Sequence, residues 1–174
     1  FDFENIALGL SKSSKKLEIQ PILDRILEKG RIVVKRAYAD WARYSSEKDS
    51  LHEAAFELIE IPKRRLSGKN SADIRMVVDA MDIVISKEHV DTYALITGDS
   101  DFSPLVSKLR EHDKRVIGVG LRDSSSALLT ENCDEFIYYE DLVAPPPSRR
   151  RKSSESSSQP VASSLIRKDS RRIS

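Results

Sequence analysis

Five residues have the types and spacing for acid chemistry on a charged substrate. They are Asp2 with Asn5 three positions on, Asp73, and Asp99 with Asp101 two positions on. All offer oxygen, and no His or Cys accompanies them. Oxygen-only donor sets favour hard cations, Mg²⁺ or Mn²⁺. Carboxylates gathered at one place repel, so such a group is stable when a cation neutralises it. An ion held in this way can activate water and offset the charge developing on a phosphodiester. Each acid also has an ordinary use. Asp101 suits a helix N-cap with Pro104 in the first turn. Asp73 favours the dipole at a helix start, and Asp99 beside Gly98 suits a tight turn. Taken together, three chain segments carrying acids favour the functional reading.

Positioning these acids requires a sheet. Phe1 to Phe3 reads as the end of a strand, and Leu17 to Glu28 as a helix with Ile19, Ile22, Leu23, Ile26 and Leu27 on one face. Arg31 to Tyr38 is a strand, Lys48 to Phe56 a helix and Glu57 to Pro62 a strand. Ser71 to Ile85 is the clearest helix, with Ile74, Val77, Val78, Met81 and Ile85 as its apolar stripe. On that wheel Asp73 flanks the stripe, while Asp79 points well away and ranks as a supporting residue at most. Strands follow at Thr92 to Thr97, Arg115 to Gly120 and Glu135 to Tyr139, with helices at Asp101 to Glu111 and Ser124 to Thr130. Strands separated by helices imply an α/β fold with a mainly parallel sheet covered on both faces. In such sheets ligands bind beyond the carboxyl ends of the strands, where strand order reverses. Asp2 and Asn5, Asp40 and Trp41, and Thr97 through Asp101 all follow strands.

The chain has 174 residues, enough for one domain and a tail. The boundary falls at Pro145-Pro146-Pro147. From there to residue 174 stand eight basic and two acidic residues and ten serines, a composition expected to be disordered. The remainder carries 21 basic and 26 acidic residues. An acidic body suits a cation site and a basic tail suits a polyanion. The single Cys133 excludes a disulfide framework and a Cys-based zinc site. His52, His89 and His112 lack ligand spacing. No apolar run is long enough to cross a membrane, and no signal peptide stands at the start, which points to the cytoplasm. The missing initiator Met points to a fragment. Gly118 and Gly120 lack the helix-opening context of a dinucleotide site.

Asp2-Phe3-Glu4-Asn5, Lys69-Asn70-Ser71-Ala72-Asp73, Thr97-Gly98-Asp99-Ser100-Asp101-Phe102 and Arg115 through Gly120 together resemble the NYN domain. NYN domains are PIN-like nucleases, and the resemblance is strongest to the bacterial LabA-like group. It covers about residues 1–142, leaving 143–174 as a Pro/Ser/Arg-rich tail or linker. It implies a PIN-like three-layer sandwich and metal-dependent endonucleolytic cleavage of single-stranded RNA with Mg²⁺ or Mn²⁺. The family's acidic pocket maps onto Asp2, Asp73, Asp99 and Asp101 as catalytic and metal-holding residues, with Asn5 as their polar neighbour. Thr97 matches the family's Thr, and with Ser100 it counts among substrate-binding residues. The family's first strand carries several apolar residues before its Asp, where this chain has Phe1 alone. LabA-like proteins often continue through a linker into a small winged-helix module, so the basic tail is expected to contact nucleic acid or lead into a further domain. A homodimer is a further option.

Other residues could serve RNA. Tyr38, Trp41 and Tyr44 with Arg36 and Arg43 could stack unpaired bases beside cations, although a Trp here more commonly packs under the next helix. Lys63, Arg64, Arg65 and Lys69 precede Asp73 and could hold phosphates, or could form an ordinary solvated loop. Two rival functions remain. One is an RNA-binding module that keeps the pocket without cutting. The other is a phosphoryl-transfer receiver domain, disfavoured because its third strand should end in an acid, where this chain has Ile61-Pro62.

Overall fold

The structure, a computed structural model, describes residues 1–61 and 71–145. Arg65 and Lys69, with the rest of the basic cluster and the tail beyond Pro145, lie outside the described residues. By contacts the chain divides into Phe1–Ala144 and Pro145–Ser174.

Five strands form: β1 (Arg36–Ala39), β2 (Glu57–Glu60), β3 (Thr92–Ile96), β4 (Arg115–Gly120) and β5 (Glu135–Tyr138). β1 pairs with β2, and β3, β4 and β5 pair in that order, all parallel. Phe1 and Asp2 join the two groups. The Phe1 nitrogen donates to the Arg36 carbonyl (2.8 Å) and the Tyr38 nitrogen to the Phe1 carbonyl (2.9 Å), while the Asp2 nitrogen donates to the Ile96 carbonyl (3.0 Å). The spatial order is therefore β2, β1, the Phe1–Asp2 segment, β3, β4, β5. The Phe1–Asp2 segment lies between β1 and β3, with later strands to either side of it, so strand order reverses between Asp2 and β3, the expected ligand position in such a sheet.

Helices cover both faces. α1 (Phe3–Ser11), α2 (Gln20–Leu27), α3 (Ser45–Glu53) and α7 (Tyr139–Val143) supply one core with Ala37, Ala39, Ile96, Ile117 and Val119 from the strands. α4 (Ser71–Ser86), α5 (Ser103–Glu111) and α6 (Ala127–Asn132) supply the other with Tyr38, Tyr93, Leu95 and Val116. Alternate strand residues thus enter opposite cores, as a pleated strand buried on both faces requires. This is the three-layer α/β sandwich expected from the sequence. Around β1 and β3 lies a cavity of about 430 Å³ lined by Arg31–Arg36 and Asp91–Leu95 among others.

Three local readings need correction, besides the strand read over Arg31 to Tyr38, which forms only at Arg36–Ala39. Phe3 is helical, not strand: Asp2 stands just before α1, and Phe3, Ile6 and Leu10 turn one face of it into the core. α7 follows β5 directly, with Tyr139 buried. The third concerns α4, which buries Met76, Ala80 and Val84 while Ile74, Val78 and Ile85 are 64%, 57% and 75% exposed. The helix is apolar around most of its circumference, so periodicity alone offered two stripes. The flank of the sheet beside Tyr93, Leu95 and Leu105 accepts the one with small Ala80 at its centre.

Candidate metal centre

β3 ends at Ile96, but the ladder continues one residue: the Thr97 nitrogen donates to the Val119 carbonyl (2.9 Å) and Thr97 is fully buried. Its side chain ties two segments together. Thr97 Oγ1 donates to Asp2 Oδ2 (2.9 Å) and accepts from the Asp99 nitrogen (3.2 Å). Asn5 Oδ1, from the first turns of α1, accepts from the Gly98 nitrogen (2.9 Å). Gly98 is required by close approach, since a Cβ there would lie about 3.0 Å from the Ser124 carbonyl oxygen and from Ser125. The loop before α6 is bonded at the same place, with the Ser126 nitrogen donating to the Gly98 carbonyl (2.9 Å). Asp99 then caps a short 3-10 turn (Ser100–Phe102) by accepting from the Asp101 nitrogen (2.9 Å).

Asp73, in the first turn of α4, meets this loop. One carboxylate oxygen from each of Asp73, Asp99 and Asp101 lies within 4.8 Å of the others. Burial pushes the Asp73 carboxyl up to about 6, and the charges of Asp2, Asp99 and Asp101 add to the shift. Asp2 is buried behind Thr97 and outside the group of three. Burial raises its carboxyl too, and the Thr97 hydroxyl partly opposes the shift. The Asp2 charge is among those that raise Asp73, and its Oδ2 accepts from Thr97.

The donor set fits a hard divalent cation. Oxygens around an octahedral ion at about 2.1 Å stand roughly 3 Å apart when adjacent and about 4.2 Å when opposite. Separations of 4.8 Å or less reach that range by small side-chain rotations. Like charges crowded enough to raise Asp73 are also what a cation would relieve.

Asp73 and Asp101 open onto a shallow cleft between α4, α5 and α6. Its polar lining is Ser100, Ser103, Ser107 and Asn132, and Ile74, Val77, Val78 and Leu128 form apolar wall. Ser103 and Ser107 were not anticipated as cleft residues; their spacing of four on α5 is the sequence signal that could have found them. Ser103 Oγ is buried without a hydrogen-bond partner among the described residues.

Two expectations fail here. Trp41 is 1% exposed, packs on Phe3 (5.1 Å between ring centres) and donates Nε1 to the Ile59 carbonyl (3.0 Å). Its faces are spent in the core, so it offers no platform to a base. Tyr38 is likewise buried, with its hydroxyl donating to Asp79 (2.9 Å). Asp79 stays apart from the three acids, as read from the sequence, and is taken up by Tyr38 and Arg75 Nε (3.0 Å). Its side chain is 13% exposed, because α4 is rotated relative to the stripe read from sequence.

The NYN domain family matches residues 1–140. An uncharacterized protein of Methanocaldococcus jannaschii is 32% identical over 121 residues, which is 70% of this chain and 47% of that protein. The chain thus spans about half the length of that curated relative. A crystal structure of a protein of unknown function from Vibrio parahaemolyticus superposes with a TM-score of 0.67 at 22% identity, covering 79% of this chain and 88% of that one.

Proposed function

The chain belongs to the NYN domain family, and from that premise we propose that it is a metal-dependent endoribonuclease hydrolysing phosphodiester bonds in single-stranded RNA. NYN domains are typically nucleases. The observation that carries the reading is the convergence of Asp73, Asp99 and Asp101, from two distant segments, within 4.8 Å. Bound there, Mg²⁺ or Mn²⁺ would supply Lewis acidity for activating water and charge to offset that developing on the phosphate.

The protein's own residues have separable tasks. Asp73, Asp99 and Asp101 would hold the ion. Thr97 keeps Asp2 hydrogen-bonded and fixes the Asp99 backbone in the same stroke. Asn5 locks the loop at Gly98. Asp2 supports the centre by its field. Ser100, between Asp99 and Asp101, would stand nearest a phosphate at the ion, and Arg65 and Lys69 belong to the segment just before Asp73, suited to phosphate contact.

We place the chain with the bacterial LabA-like group on its Asp2–Asn5 and Thr97–Phe102 elements. The nuclease domain is taken as residues 1–142 and 143–174 as its basic tail. An RNA substrate favours a cytoplasmic setting. Among the described residues no helix is long and apolar enough to cross a membrane.

Labelled single-stranded RNA incubated with the protein and Mn²⁺ or Mg²⁺ tests the proposal. Internal cuts that vanish with chelator and in Asp99→Asn support it. Binding without cleavage in either metal would replace it with the non-catalytic RNA-binding reading.

A further inference from the structure

The outward face of α4 carries Ile74, Val78 and Ile85, and half-buried Met81, which also packs against the core, stands at its edge. Their spacing of four, three and four residues is that of the seam between two paired helices. Ile74, Val78 and Ile85 are each more than half exposed. Leu128 of α6, 57% exposed, shares the cleft with Ile74 and Val78 and widens the patch. The opposite face of the same helix already fills the core with Met76, Ala80 and Val84. Contiguous exposed apolar surface of this kind marks an interaction site.

We propose that α4 pairs antiparallel with α4 of a second copy of this chain. The charges beside the seam select that partner and that direction. Arg75 and Asp82 each follow a seam residue by one position, and both are exposed. Setting Ile74 against Ile85 and Val78 against Met81 brings the two flanking rows together. Arg75 of each copy then stands beside Asp82 of the other, and two-fold symmetry makes the pair twice. A parallel pairing sets Asp82 beside the Val77 row and gives neither charge a partner. Arg75 now reaches Asp79 through Nε (3.0 Å) with its side chain 53% exposed, so the guanidinium is already held at the edge of the seam. In this register the two Asp73 residues lie about 20 Å apart along the helix axes, at 1.5 Å per residue. The two carboxylate groups then occupy opposite ends of the paired helices. The pairing holds whether or not the acids cut RNA.

Sedimentation velocity over a concentration series, at moderate ionic strength, provides the test. The wild-type chain is expected to show a monomer–dimer equilibrium. Ile85→Glu places a charge at a solvent-exposed position, so it should remain folded by circular dichroism yet stay monomeric. Arg75→Asp should weaken the dimer about tenfold through two lost pairs and new repulsion. Adding Asp82→Arg should restore it. Wild-type protein monomeric throughout, or a dimer untouched by Ile85→Glu, overturns the interface. A double variant no better than Arg75→Asp overturns the antiparallel register.

Discussion

Asp73 is the residue at which like-charge crowding can be measured without any substrate. Its carboxyl is raised from an ordinary 3.8 to about 6 by burial and by Asp2, Asp99 and Asp101. Between those values the folded protein binds a proton that the unfolded chain has released. Stability therefore falls as pH rises through that window, and above about pH 6 the full penalty is present. A rise from 3.8 to about 6 corresponds to about 3 kcal/mol at most. Asp73 is only half-buried, and solvent screening reduces that figure to about 1 kcal/mol. Metal-free Asp73→Asn should accordingly melt higher than wild type at pH 7.5, by about 3–4 °C for a domain of this size. The gain should shrink toward zero at pH 4, where the wild-type carboxyl is protonated. Added Mg²⁺ or Mn²⁺ should then reverse the ranking. At about 100 times the dissociation constant the ion stabilises the wild type by about 2.7 kcal/mol, and Asp73→Asn by much less. Calorimetric melts in chelator and in metal, at three pH values, read all of this. Asp79→Asn is the control, since its carboxylate is taken up by Tyr38 and Arg75; it should lower the melting temperature yet keep the metal response. A gain for Asp73→Asn that is equal at pH 4 and pH 7.5, or a loss at pH 7.5, would refute the electrostatic account.

Thr97→Val removes the donor to buried Asp2 and should cost about 2–3 kcal/mol in metal-free melts; a change below about 0.5 kcal/mol would show that Asp2 finds another partner. Trp41→Phe keeps most of the packing and loses the bond to the Ile59 carbonyl. A cost of about 1–2 kcal/mol in stability is expected, with affinity for single-stranded RNA unchanged in filter binding; a clear loss of affinity in the folded variant would return Trp41 to the binding surface. Removing residues 145–174 should flatten the dependence of RNA affinity on salt, because the tail carries eight basic residues that release counterions on binding. An identical salt slope would show that the tail stays off the RNA.

Much of this protein is legible along the chain. Alternation of short apolar runs with helix-length amphipathic segments specifies a parallel sheet covered on both faces, because only crossover helices can return the chain to start the next parallel strand. β4 forms at Arg115–Gly120 as its uninterrupted apolar run implies. The acids after β3 and at the start of α4 are placed by the same rule, since residues after strand ends and in first helical turns share one rim of such a sheet. The remainder depended on distance between segments remote in sequence. The rotation of α4 was ambiguous because its apolar residues nearly encircle the helix; contact with Tyr93 and Leu95 selects Met76, Ala80 and Val84. That choice turns Asp79 inward and leaves Ile74, Val78 and Ile85 outside. Trp41 followed a strand among cations, which suits either stacking or packing, and the approach of Phe3 from α1 decides for packing. Asp2 and Asp99 are 97 positions apart, and the Thr97 hydroxyl that links them acquires its role only when the Phe1–Asp2 segment lies beside β3. Local pattern determines which elements form and which residues stand at their ends. Which face turns inward, and which oxygen meets which, are properties of packing, where competing burials are settled by shape and by the need to satisfy every buried polar group.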